Sequence, residues 1–117
     1  MIIKLSPIGE PYGHPFEAPL SIKRTGQSLE INGKELDFSV IPNGATLEDA
    51  SEATNCPYIV GNIDRDMSGV LHITLLFPHA SNAPYEARFP EIINNPPNGN
   101  IKLPDSQWPP HHGELDD

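Results

Sequence analysis

The run Gly69–Pro78 is the stretch that most constrains how this chain can fold, because it alone is apolar enough and long enough to be a central strand. On strand alternation Leu71, Ile73, Leu75 and Phe77 share one face, and Val70, His72, Thr74 and Leu76 share the other, so one side reads as core. Pro78 is expected to end it, since a residue without an N–H cannot continue a ladder.

The clearest local structure lies upstream, in residues 20–38. Leu20 and Ile22 alternate with Ser21 and Lys23, and Thr25-Gly26-Gln27 turns the chain into Ser28–Ile31. Asn32-Gly33 is then a strong hairpin signal, because both central positions of a type I′ turn need positive φ. That loop sets Ile31 opposite Lys34, Glu30 opposite Glu35 and Leu29 opposite Leu36. It puts Leu29, Ile31, Leu36 and Phe38 on one apolar face, and the two glutamates oppose each other on a face that must be wet. Residues 1–6 read as an edge or closing strand. Asn43-Gly44 marks another turn, and Thr46 with Asp49 has the spacing of a capping box before a helix of at most about two turns, stopped by Pro57. Tyr58–Ile63 and the central run form a second hairpin joined by Arg65–Gly69.

Proline governs the rest. Pro7, Pro11, Pro15 and Pro19 make residues 7–19 a loop or arm containing Tyr12, His14 and Phe16, and eight of the fourteen prolines fall between 78 and 110. Ile92-Ile93 and Ile101–Leu103 are the apolar doublets there, the second a candidate strand after the turn at Asn98-Gly99. The expected fold is mainly β, a small antiparallel meander or sandwich of four to six short strands with at most one short helix and Pro-rich arms. Residues 1–104 make one small domain and 105–117 a flexible acidic tail rich in Pro and His.

Composition excludes more than it assigns. An apolar fraction of 37% is below the roughly 45–50% typical of globular domains. Sixteen acidic and seven basic residues give a net charge of −9, which argues against a nucleic-acid partner, since phosphate binding needs clustered Lys and Arg. No apolar run reaches the length of a membrane span, and Met1–Ser6 reads as a short strand, not a signal peptide. A single cysteine, Cys56, forms no internal disulfide, so a cytosolic setting is the default.

Motifs for catalysis are missing. There is no G-x-S-x-G elbow, glycine-rich phosphate loop, C-x-x-C or H-E-x-x-H pair. Of the five histidines only His111 and His112 lie close in sequence, so no metal site is expected. His72, with Thr74 on its face, and His79 are the two residues on which a small enzyme could be built. His72 reads more simply as a polar residue on the solvent side of a strand, and Cys56, with no base near it in sequence, as inert. The carboxylate pairs Asp64 with Asp66 and Glu48 with Asp49 lie at turns or a helix start. Neither a catalytic residue nor a cofactor is expected.

Several stretches together resemble a group of small uncharacterised proteins encoded in the tail-gene region of tailed bacteriophages and prophages. They are Met1–Pro7, Ser28–Ser39, Pro42–Leu47, Leu71–Pro84 and Arg88–Pro90, a likeness of pattern without a chemical signature. The arm at 7–19 and the chain beyond Trp108 fit that group poorly. The resemblance implies a protein made in the host bacterial cytoplasm and carried into the virion or not. Its role would be non-enzymatic, a minor tail component or tail and fibre assembly factor whose partners are other tail or fibre proteins. Strand edges and Pro-rich arms leave homo-oligomerisation open. The expected contact surface is Pro78, His79, Asn82, Pro84, Tyr85, Arg88 and Phe89, with Tyr85 and Phe89 as aromatic anchors. The rival is an acidic inhibitor of a host enzyme that mimics nucleic acid, which needs carboxylates arrayed on one surface.

Overall fold

The computed structural model describes residues 1–11 and 18–109. Expectations for Tyr12, His14 and Phe16, and for His111 and His112, lie outside the described residues. The fold is mainly β, as the alternation implies, with nine strands in two sheets among the described residues. In chain order the strands are β1 (Ile2–Gly9), β2 (Ile22–Thr25), β3 (Ser28–Ile31), β4 (Lys34–Asp37), β5 (Thr46–Leu47), β6 (Ile63–Arg65), β7 (Leu71–His79), β8 (Ile93–Asn94) and β9 (Gly99–Asn100). Two short helices, α1 (Ala50–Thr54) and α2 (Tyr85–Arg88), and a 3₁₀ turn at Phe38–Val40 complete it.

One sheet has the order β5-β6-β7-β1-β8 and the other β4-β3-β2-β9. The central run is β7, with Leu71, Ile73, Leu75 and Phe77 all buried. Its main partner is β1, and the pairing is parallel, from Ile2 with His72 through Gly9 with His79. This corrects two expectations. The sheet is mixed, not a meander, and the N-terminal segment is an inner strand that runs through Pro7 to Gly9 instead of an edge strand ending at Ser6.

Pro78 does not end β7, and the hydrogen bonds give the reason. Leu76 N–H donates to Tyr58 O at 2.7 Å, on the side away from β1. Pro78 has the same parity, so its missing N–H falls on that outer side and the ladder to Ile8 loses nothing. Pro7 is placed likewise. Glu10 N–H donates to His79 O, so even-numbered residues of β1 bond to β7 and the nitrogen of Pro7 faces outward.

The second sheet follows its local turn chemistry. Asn32 and Gly33 have φ of +47° and +86°, and the register of β3 on β4 sets Leu29 with Leu36, Glu30 with Glu35 and Ile31 with Lys34. Leu29 and Ile31 are buried, and both glutamates are exposed. Asn32 also ties this hairpin down, its side chain donating to Pro19 O and Tyr58 Oη and accepting from Ser21 N–H. The third strand candidate is displaced slightly. It is Gly99–Asn100 that pairs with β2, and Ile101 follows with N–H donated to Ile22 O.

The helix differs most from its sequence signature. Thr46 lies in β5 and donates its hydroxyl to Asp64 at 2.6 Å. Asp49 precedes α1 in the left-handed region with no side-chain cap, so there is no capping box. Cross-strand pairing of β5 with β6 has taken the threonine that the cap required. The expected second hairpin is present but displaced: its first strand is Ile63–Arg65, not Tyr58–Ile63, pairing at Asp64 with His72 and Arg65 with Leu71. Arg65 therefore lies in the strand and not the turn, and of residues 58–62 only Ile59 bridges Leu75.

Both sheets contribute to one buried cluster, from Ile3, Leu5 and Leu75 to Ile22, Leu29 and Phe38. Arg65 fastens them at its margin. This buried side chain donates to Ile41 O at 2.6 Å, Phe38 O at 2.8 Å and Gly69 O at 2.8 Å. Its planar fork thus joins the exit from the second sheet to the β6–β7 turn of the first. Replacing Arg65 by Ala leaves Ile41 O and Gly69 O without their donor, and Phe38 O with only the Ile41 N–H, and is expected to lower the unfolding free energy by about 3 kcal/mol in urea denaturation. Arg65→Lys, with one ammonium for three divergent acceptors, should recover only part of that loss. Gly33→Ala places a Cβ at positive φ in the open turn and should cost about 1 kcal/mol.

Candidate functional site

The stretch after β7 is shaped by its prolines. Ala80 N–H is held by Ser106 O, the chain turns at Ser81-Asn82, and Ala83 N–H returns to Ala80 O. Ser81 N–H donates to Glu10 Oε2 at 3.0 Å, fixing this turn to the end of β1. Pro84 then starts α2, a single turn whose buried residue is Ala87. With Ala83 and Ala87 facing inward, Tyr85 and Phe89 are left outside, 65% and 59% exposed, and Ile92 beside them is 60% exposed.

These side chains are organised. The Tyr85 and Phe89 rings lie 4.9 Å apart between centroids, tilted by 32°. The Arg88 guanidinium sits 5.9 Å from the Phe89 centroid and donates to Ala83 O. The aromatic pair forms one wall of a groove of about 560 Å³ whose other lining includes Leu5, Ile92, Ile93, Leu103 and Pro104, with Glu86, Glu91 and Lys102 as its charged residues.

Of the residues expected to form a contact surface, Asn82, Tyr85, Arg88 and Phe89 are exposed and Pro84 is partly so. Pro78 and His79 correct the expectation, because both are buried at the end of β7. His79 Nδ1 lies 2.8 Å from Ala80 O, and a Cβ on Gly9 would stand 3.5 Å from its ring, so this imidazole is packing and not surface. Sequence reasoning did not place Leu5, Ile92, Lys102 or Leu103 in the groove. Ile92-Ile93 and Ile101–Leu103 stood out as apolar doublets, but nothing local showed that they converge on Tyr85.

His72 is half-buried and lies 3.1 Å from Asp66 Oδ2 through its Nε2. Asp66 organises the β6–β7 turn, its Oδ1 accepting from Ser68 N–H at 2.9 Å and Val70 N–H at 3.0 Å. The Val70 N–H first, then His72, holds the Asp66 carboxyl below its ordinary value of 3.8. Neither the aromatic groove nor a second apolar cleft of about 380 Å³, lined by Leu36, Phe38, Val40, Ile41 and Leu47, includes His72 or His79. Among the described residues no group of three or more His, Cys, Asp or Glu is placed to hold a metal ion, and no helix is long and apolar enough to cross a membrane. Cys56 is buried.

Compared with known proteins, the chain matches no family model, no curated protein and no solved structure.

The Asp66 turn carries a pH dependence of defined sign. Its carboxylate binds a proton less readily folded than unfolded, so its contribution is present above the unfolded value of 3.8 and is lost as pH falls through the lower, folded value. Asp66→Asn keeps an acceptor for Ser68 and Val70 but has no proton to bind. In urea denaturation at pH 3 and pH 6, the variant is expected to lose less stability on acidification than the parent chain.

Proposed function

We propose that this chain is a non-enzymatic binding protein whose working surface is the Tyr85–Phe89–Ile92 face and the groove behind it. The observation that carries the reading is the exposure of three large apolar side chains in one stretch, two of them with their rings in contact. A monomeric soluble domain gains nothing from wetting such a group, and aromatic anchors with a nearby arginine are what protein interfaces concentrate. The groove's charged residues give it a polar rim around an apolar floor.

The resemblance of Met1–Pro7, Ser28–Ser39 and Leu71–Pro84 to small proteins of phage tail-gene regions supplies the setting. In this reading the protein is a minor tail component or an assembly factor for tail or fibre, made in the bacterial cytoplasm, and its partners are other tail or fibre proteins.

The test is affinity capture of the tagged chain from phage-infected or prophage-induced cells, with mass spectrometry of purified particles alongside. Tail or fibre proteins are expected in the capture. Recovery of a host enzyme with no virion protein would overturn the reading. The double variant Tyr85→Ala with Phe89→Ala is expected to weaken capture at least about tenfold, as loss of anchor residues does. Its thermal midpoint should hardly move, because both side chains are exposed.

A further inference from the structure

The floor of the groove holds a feature that the exposed aromatics do not explain. Asn95 N–H donates to Met1 O, and Ile3 pairs with Ile93, so odd-numbered residues of β1 turn their backbone groups toward β8. That ladder covers only Ile2 and Ile3. Beyond it, among the described residues, no strand pairs with the outer side of β1. Leu5 therefore directs an N–H and a C=O outward, and Pro7 a further C=O. Leu5 is buried and is itself part of the groove lining. Among the described residues neither backbone group of Leu5 has a hydrogen-bond partner, and such groups are ordinarily met by backbone, side chains or water.

We propose that the outer edge of β1 at Leu5 accepts an extended peptide of a partner protein as an added strand, continuing the line of β8 antiparallel to β1. The proposal rests on the protein-binding reading above and names the chemistry of its partner. One residue opposite Leu5 exchanges two hydrogen bonds with it and shares its apolar face, next to Leu103 and Phe89. Main-chain pairing of this kind supplies affinity while alternate side chains supply specificity. Charge sets the rest. Two carboxylates, Glu86 and Glu91, line the groove against one base, Lys102, on a chain of net charge −9. The fitting segment alternates apolar residues with lysine or arginine, and a second copy of this acidic chain is repelled. Pro7 limits the register, since the next outward-facing position after Leu5 offers a carbonyl and no N–H.

Amide hydrogen exchange read residue by residue by NMR tests this directly. In the free protein the Leu5 amide should exchange much faster than those of Lys4 and Ser6, which point to β7. A short capped peptide alternating lysine and valine should slow Leu5 by at least about tenfold at saturation. The effect should weaken with salt and vanish with the same peptide N-methylated throughout. The proposal is overturned if Leu5 is already as slow as Lys4 and Ser6. It is equally overturned if the peptide fails to bind, binds without slowing Leu5, or acts unchanged when N-methylated, or if Leu5 slows with protein concentration alone, which would mean self-association. Capture of a tail or fibre protein that leaves Leu5 exchange unaltered would sink strand addition and leave the broader reading standing. The peptide result holding while no phage protein is captured would support strand addition and overturn the tail assignment alone.

Discussion

Everything in this fold hangs on the parallel pairing of β1 with β7. Because the strands run the same way, the chain must leave the end of β1 and return to the start of β7, and residues 10–70 make that journey. Closing a segment of that length costs on the order of 4 kcal/mol in chain entropy beyond a constant. Ile3, Leu5, Ile73 and Leu75, all buried in the ladder, each contribute about 2 kcal/mol on burial, which offsets that cost. The excursion is not idle loop. It contains the hairpins of the second sheet, whose Leu29, Ile31 and Phe38 complete the same core. Arg65 then secures the far side, where the carbonyls of Ile41 and Gly69 would otherwise lack donors.

What could be read from sequence divides by range. The β3–β4 hairpin was legible to the residue because Asn32-Gly33 dictates its own register, and the central strand because Leu71, Ile73, Leu75 and Phe77 alternate. The partner of that strand was not legible. A parallel neighbour is chosen by packing across the whole chain, and Ile3 with Leu5 looks the same at a sheet edge as inside it. Proline misled for the same reason. The rule that Pro ends a strand holds only where its nitrogen faces a partner, and parity, not composition, decides that. Thr46 and Asp49 carried a valid local cap signal that lost to pairing with Asp64.

The candidate surface was half legible. Tyr85 and Phe89 stood out as aromatics between prolines, and their exposure follows from the inward turn of Ala83 and Ala87. The other wall comes from residues 5 and 102–104, which are distant in sequence and meet only after the sheet has formed. His79 shows the reverse error, where a polar residue in an interesting stretch is there to fill space beside Gly9. The fold thus builds its surface on rigid elements, with the end of β1, the Ser81 turn and Ser106 tied together by main-chain and carboxylate bonds.

The two prolines of the β1–β7 ladder have one more effect. Pro7 and Pro78 stand near the same end of the ribbon with their nitrogens on opposite outer sides. A growing fibril needs an uninterrupted row of donors and acceptors to template the next molecule, and each flank of this ribbon has a donor missing. A single short segment could still be accommodated at Leu5, but an endless stack of copies could not. The missing donor at Pro7 thus shortens the row of backbone groups that the outer side of β1 presents.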